Sequence, residues 1–380
     1  MKIEQNRWTE AKGWEPEPPG RLGESAQLVL LFGSTPILTE QKCFDEIKKA
    51  YPKAHLLGCS TAGEICGTQV SDDSLVSTAV HFKYTQIKSA QIKMSDMENS
   101  FQAGERLAQS LEKDRLVHVL VISDGQKVNG SELVRGLVKH LPPEVAVTGG
   151  LAGDGARFQK TLVFVDSRPR EGRVAVLGFY GTRLKVGYGS LGGWDPFGPE
   201  RLITRSKGNV LYELDWQPAL ELYKKYLGEH AEGLPATGLL FPLSLLTKEG
   251  KTGGVVRTIL SINEEEQSMT FAGDVPEGTY ARLMKANFER LIDGASEAAK
   301  TSYEAIGSSS PDLAILISCV GRKLVLKQRT EEEVEGVRAM LGDRTVLTGF
   351  YSYGEICPAA PNAKCELHNQ TMTITTFSEK

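Results

Sequence analysis

Gly58-Cys59-Ser60-Thr61-Ala62-Gly63-Glu64-Ile65 and Gly349-Phe350-Tyr351-Ser352-Tyr353-Gly354-Glu355-Ile356 share the pattern Gly-x4-Gly-Glu-Ile at two distant places in the chain. A shorter relative, Gly149-Gly150-Leu151-Ala152-Gly153-Asp154, lies between them. Each follows a short apolar run: His55–Gly58, Val145–Thr148 and Thr345–Thr348. Upstream of each run stands a strand-like segment and then a helical one. The first pair is Gln27–Gly33 with a helix that carries Phe44, Ile47 and Tyr51. The second is Leu116–Ile122 with Ser131–Leu141, where Leu133, Leu137 and Leu141 fall on one face. The third is Leu313–Ser318 with Glu331–Leu341. A degenerate unit of strand, helix, short strand, glycine turn and strand therefore recurs three times. A strand and a helix that must each bury one side predict an α/β or α+β fold, with mixed sheets covered by helices.

Outside these units, residues 1–24 are rich in proline and charge and read as an irregular lead-in. A helix is expected from about Ala281 to Ala305, with Met284, Phe288, Leu291 and Ala295 along it. The chain changes character near 210–220, which divides it into 25–215 and 216–377.

The whole chain of 380 residues has 40% hydrophobic and 24% charged residues, with a net charge of -4. That balance excludes a disordered chain and gives no electrostatic reason to expect nucleic acid or an anionic membrane as partner. No apolar run is long enough to span a bilayer, and the start lacks a secretory core, so no membrane insertion and a cytoplasmic location are expected. The six cysteines form no Cys-x-x-Cys pair and read as reduced thiols.

The glycine turns are the first candidate sites. Gly58, Gly63, Gly153 and Gly354 let backbone N–H groups approach a ligand, with Cys59, Ser60, Thr61 and Tyr353 beside them. Glu64, Asp154 and Glu355 supply acids that hold an amine or guanidinium. Arg322, after the strand that ends near Cys319, is a candidate carboxylate clamp. The competing reading is a set of tight turns with structurally paired acids. Asp124, in Ser123-Asp124-Gly125 at a strand end, is a reserve candidate. Cys59 is the candidate nucleophile of a thiol-dependent enzyme, with His55 upstream. Gly187-Tyr188-Gly189-Ser190-Leu191-Gly192 has dinucleotide spacing, but the following Gly-Trp-Asp-Pro turn offers no helix for a pyrophosphate. Neither a phosphate loop nor Gly-x-Ser-x-Gly occurs. None of His55, His81, His118, His140, His230 and His368 forms a close metal pair, so no metal and no cofactor is expected. Non-covalent haem stays open as the alternative, because it needs only one ligand and an apolar slot.

Taken in order, the three glycine segments, Asn209–Asp215 with Pro218-Ala219, Ser318–Arg322 and Leu367–Thr371 resemble the FIST family, in its amino-terminal and carboxy-terminal domains. The resemblance implies a sensory, signal-transduction module that binds small ligands, amino acids being the usual class. Some bacterial members are haem proteins that sense nitric oxide and act through a partner histidine kinase. No F-box, kinase or cyclase segment is recognisable in this chain. The resemblance therefore implies a ligand-binding sensor whose output lies in a separate protein, and which is more readily a binder than an enzyme.

Overall fold

A computed structural model describes residues 1–40, 42–246, 254–307, 310–358 and 363–379. Three six-stranded sheets in it follow the same plan. In the first, Leu28–Gly33 runs parallel to His55–Ser60 and antiparallel to Ser74–His81. In the second, Leu116–Ser123 does the same with Ala146–Leu151 and Arg173–Tyr180. In the third, Leu313–Cys319 pairs with Val346–Ser352 and Met372–Glu379. A parallel pair needs a crossover, and helices such as Lys42–Ala50, Gly130–Lys139 and Thr330–Leu341 supply it. Leu133 and Leu137 bury the predicted stripe of the second helix.

The strand after each glycine turn leaves its own sheet. Glu64–Cys66 of the first unit pairs with Val346–Ser352 of the third. Val163–Val165 of the second pairs with His55–Ser60 of the first. Gly354–Pro358 of the third pairs with Ala146–Leu151 of the second. The exchange closes a ring, and a single apolar cluster draws Leu30 and Phe32, Leu120 and Ile122, and Ile315 and Ile317 from the three sheets.

The ring explains the leading glycine of each motif. A Cβ on Gly58 would sit 2.1 Å from the Leu31 carbonyl oxygen, and on Gly349 1.8 Å from that of Leu316. Gly149 meets the Val121 oxygen in the same way. These are close approaches between parallel neighbours, so Gly58 is there for packing. Gly58→Ala is expected to cost roughly 1–3 kcal/mol by overpacking, read as a lower urea midpoint. An unchanged midpoint would contradict this account of the motif.

Two expectations about local structure are corrected. The lead-in is not irregular throughout: Lys2–Thr9 is a strand that pairs along the whole of Ser74–His81. Its Glu4 accepts hydrogen bonds from the backbone N–H groups of Gly20, Arg21 and Leu22, which ties the proline-rich segment down. The expected helix over 281–305 begins only at Phe288. Tyr280–Lys285 is a strand that buries alternate residues Ala281 and Leu283, a period of two. Asn287 caps the helix by accepting from Arg290 N–H.

Between Asp195 and Lys285 the chain builds a further sheet of eight strands with its own core around Ile203, Leu211, Tyr223, Phe271 and Leu283. The third sheet takes Leu184–Leu191 from before this module and the rest of its own unit from after it. The module is fastened to the ring by Arg257, which donates to the Leu367 carbonyl at 3.0 Å, and by Asp274, which accepts from Asn129 at 3.2 Å. Between those fastenings lies an open space.

Candidate functional site

Two adjoining cavities flank the helix Val320–Leu326, the larger at the junction of the ring and the module and the smaller within the ring. The larger, about 910 Å³, is walled by Leu151, Phe158, Leu234, Leu239, Ile259 and Leu367, with glycine backbone at Gly125, Gly130, Gly273 and Gly321. The smaller, about 580 Å³, is lined by Thr61, Gly63, Glu64, Asp72, Arg157 and Lys323. Ala156, Val320 and Leu324 belong to both. The helix Val320–Leu326 forms the shared wall. Its residues Val320 and Leu324, one turn apart, face the junction, and Lys323 turns toward the polar side.

Of the predicted residues, Thr61, Gly63 and Glu64 line the smaller cavity and Tyr353 lines the larger. The Thr61 hydroxyl donates to Glu64 Oε1, while Oε2 accepts from the Ser74 N–H at 3.2 Å and the Ser74 hydroxyl at 2.7 Å. Burial pushes the Glu64 carboxyl up to about 7, against those hydrogen bonds, which favour the charged form. Gly63 donates to the Thr61 hydroxyl at 3.3 Å and stands against Lys323, where a Cβ would meet the ammonium at 2.6 Å. Tyr353 donates to the Asp154 carboxylate and stacks on Phe158 with ring centroids 4.4 Å apart.

The other predicted positions serve the scaffold. Cys59 is wholly buried in the central cluster, and burial holds its thiol far above the ordinary range. His55 is engaged by Asp166 at 2.7 Å. The thiol-enzyme reading of Cys59 therefore fails: the sulfur is wholly buried, and burial and the nearby Glu64 carboxylate both disfavour the thiolate. Ser60 accepts from Leu162 N–H through its hydroxyl at 2.8 Å and from Gly153 N–H through its carbonyl at 2.9 Å. Asp154 accepts from Gln159 and Lys160 N–H and organises its own loop. Asp124 does likewise with Gln126, Lys127 and Gly172 N–H. Gly354 is packed within its strand against Leu367.

Glu355 repeats the arrangement of Glu64: it takes the Ser352 hydroxyl on one oxygen and the Thr371 N–H and hydroxyl on the other. It is fully buried and lines neither cavity, and burial raises its carboxyl to about 8. At the matching place in the third junction stands Val163, paired with Cys59 beside the Gly58 approach.

Arg322 is the clearest correction. Its guanidinium is fully buried and pairs with Glu333 at 2.7 Å, with the carbonyls of Leu291, Gly192 and Gln370 taking the remaining N–H groups. It has no donor left for a ligand. The residue after it does reach the smaller cavity: Lys323 donates to the Ala62 carbonyl at 2.9 Å and pairs with Asp72. Lys323, Asp72, Phe158 and the glycines 125 and 130 were not singled out by sequence reasoning. Only the helical step of about 100° from Arg322 to Lys323 signals that one points inward when the other points to the cleft.

No histidine lines either cavity. His118 and His368 are buried elsewhere and held neutral by burial, down to about 3 and about 4. A histidine-held haem in this cleft does not fit the residues present.

A model of the FIST N domain matches residues 27–217, and one of the FIST C domain matches 219–358. The chain belongs to the FIST family. FIST domains are associated with signal transduction and small-ligand sensing. An uncharacterised protein, MJ1623, of Methanocaldococcus jannaschii is 25% identical over 338 residues, covering 80% of this FIST chain and 62% of that protein. The FIST chain thus spans less than two thirds of that relative. Among solved structures, a chorismatase is similar at a TM-score of 0.36 and 10% identity, covering 99% of this chain and 98% of its own. A cyanuric acid hydrolase from A. caulinodans follows at a TM-score of 0.18 and 10% identity, with coverages of 78% and 99%. Likeness at those scores carries no argument about site or chemistry. No helix among the described residues is long and apolar enough to cross a membrane.

Proposed function

We propose that this protein is a cytoplasmic sensory module that holds a small zwitterion, in the simplest case an amino acid, in the smaller cavity and acts through a separate partner such as a histidine kinase. The observation that carries the reading is the convergence of Glu64 and Lys323 on one open cleft beside the Thr61–Gly63 turn. A ligand carboxylate takes the Lys323 ammonium, in place of part of its contact with Asp72. A ligand ammonium faces Glu64. Both partners are already positioned by the fold, which limits the entropy lost on binding. Because the helix carrying Lys323 comes from the third unit and Glu64 from the first, a bound ligand bridges two units. It shifts the conformational balance only by the difference in its affinity for the two states.

Calorimetric titration of the full chain with a panel of amino acids tests this. At least one should bind, and Lys323→Met should weaken it by tenfold or more, as expected for a lost charge-assisted hydrogen bond of about 1.5–3 kcal/mol. No heat from any member of the panel would remove the reading. A proton provides a second signature. An ammonium beside Glu64 favours the ionised carboxylate, so its pKa falls and a proton leaves on binding. With Glu64 near 7, about half a proton per ligand should be released at neutral pH. The measured heat should then differ between phosphate and Tris buffers in proportion to their ionisation enthalpies, and in Glu64→Gln it should not.

A further inference from the structure

The larger cavity poses a problem that a free amino acid does not solve. At about 910 Å³ it is at the upper end of the range for drug-sized ligands, and a head group held by Glu64 and Lys323 lies outside it. Among the described residues its lining contains a single charged one, Lys127, which is already paired with Glu171 at 2.8 Å, and no acid to receive an ammonium. Glu64, Asp72, Arg157 and Lys323 are on the other side of Ala156, Val320 and Leu324, the three residues that border both cavities. Each of these is apolar, so the border between the charged space and the large one is itself suited to hydrocarbon. Phe158 and Tyr353, stacked on each other in the lining of the large cavity, extend the apolar wall.

We infer that the two cavities form one site for an amphiphile, whose zwitterionic head sits between Glu64 and Lys323 and whose extended apolar substituent passes Ala156 and Leu324 into the large cavity. The ligand class is an α-amino acid, or a compound with the same head, bearing a chain or ring system longer than any protein side chain. The inference rests on the zwitterion reading above and adds the tail. Ala156 and Leu324 are specificity-determining positions, because they border both cavities and a ligand that occupies both lies against them. Leu324 is 37% exposed and Ala156 is on an exposed loop, so neither is fixed by the core.

The test is a homologous series with a constant head: 2-aminobutyric, 2-aminooctanoic and 2-aminododecanoic acids, titrated into the full chain. Burial at about 0.8 kcal/mol per methylene gives roughly a fourfold gain in affinity per carbon. The octanoic member should bind at least tenfold more tightly than the butyric one. In Ala156→Trp, and in Ala236→Trp, which narrows the large cavity alone, the gain with chain length should disappear, read as the ratio of octanoic to butyric affinity within each variant. Two results would overturn the inference: affinity that does not rise with chain length, or a gain that survives in either variant. If the short member binds and the long ones do not improve on it, the tail is wrong and the zwitterion reading stands. If no member binds at all, the tail falls, and the amino-acid panel above decides the zwitterion reading.

Discussion

Arg322→Met is expected to destabilise the protein by roughly 3–5 kcal/mol, the largest effect of any single change considered. The guanidinium and Glu333 are both fully buried, and Glu333 also accepts from Ser318 at 3.0 Å and Tyr351 at 2.7 Å. Removing the arginine leaves a carboxylate in a dry environment with two neutral donors and no counter-charge. It also strips the Leu291 and Gly192 carbonyls of their partner. Urea unfolding monitored by fluorescence should show the loss as a lower midpoint with little change in slope. The double variant Arg322→Met with Glu333→Leu should recover a large part of it, since the stranded charge disappears with the pair. A ligand clamp would behave otherwise: its loss would weaken binding and leave the midpoint alone. Stability of Arg322→Met equal to wild type would therefore contradict the structural assignment.

Stability should also fall by on the order of 2 kcal/mol between about pH 6.5 and 8.5, owing chiefly to Glu64 and Glu355. Burial raises their folded-state values to about 7 and about 8, above the ordinary carboxylate value of 4.5. In that window the folded chain keeps protons that the unfolded chain has released, so raising the pH favours unfolding. Their contribution is complete below about pH 4.5 and is lost as pH rises through 7 and 8. His118 and His368 act with the opposite sign. Their folded values lie below 6.5, so they cost stability as pH falls below 6.5 and oppose the glutamates there. The combined expectation is a broad plateau from about pH 4.5 to 6.5 with a decline on the alkaline side. Chemical unfolding at a series of pH values reads it directly. Glu355→Gln should remove the larger part of the alkaline decline, having the higher of the two values. A decline of undiminished size in the Glu64→Gln, Glu355→Gln double variant would mean that other groups carry it.

The sheet-and-helix class was legible because apolar runs and helical stripes such as Leu133 and Leu137 report burial directly. The glycine turns were legible as a pattern, but their meaning was split. Gly58 answers to the carbonyl of Leu31, a contact from a neighbouring strand that spacing along the chain cannot show. Glu64 and Glu355 look alike in sequence and have matching hydrogen-bond partners, yet one borders a cavity and the other does not. What separates them is which unit receives the exchanged strand, a property of the assembled ring. Arg322 was chosen as a charge at a strand end, whereas its helix turns it inward onto Glu333 and presents Lys323 instead. Lys2–Thr9 was missed because its burial alternates weakly and it was read together with the proline-rich segment that starts at Pro16, so only its pairing with Ser74–His81 makes it a strand.

A crystal structure of the full chain grown with 2-aminooctanoic acid would bear on the whole account at once. The ligand carboxylate should lie within hydrogen-bonding distance of Lys323 Nζ, its ammonium toward Glu64, and its chain past Ala156 toward Ile259. Density for the compound at an unrelated surface, or an empty cleft at saturating concentration, would contradict it.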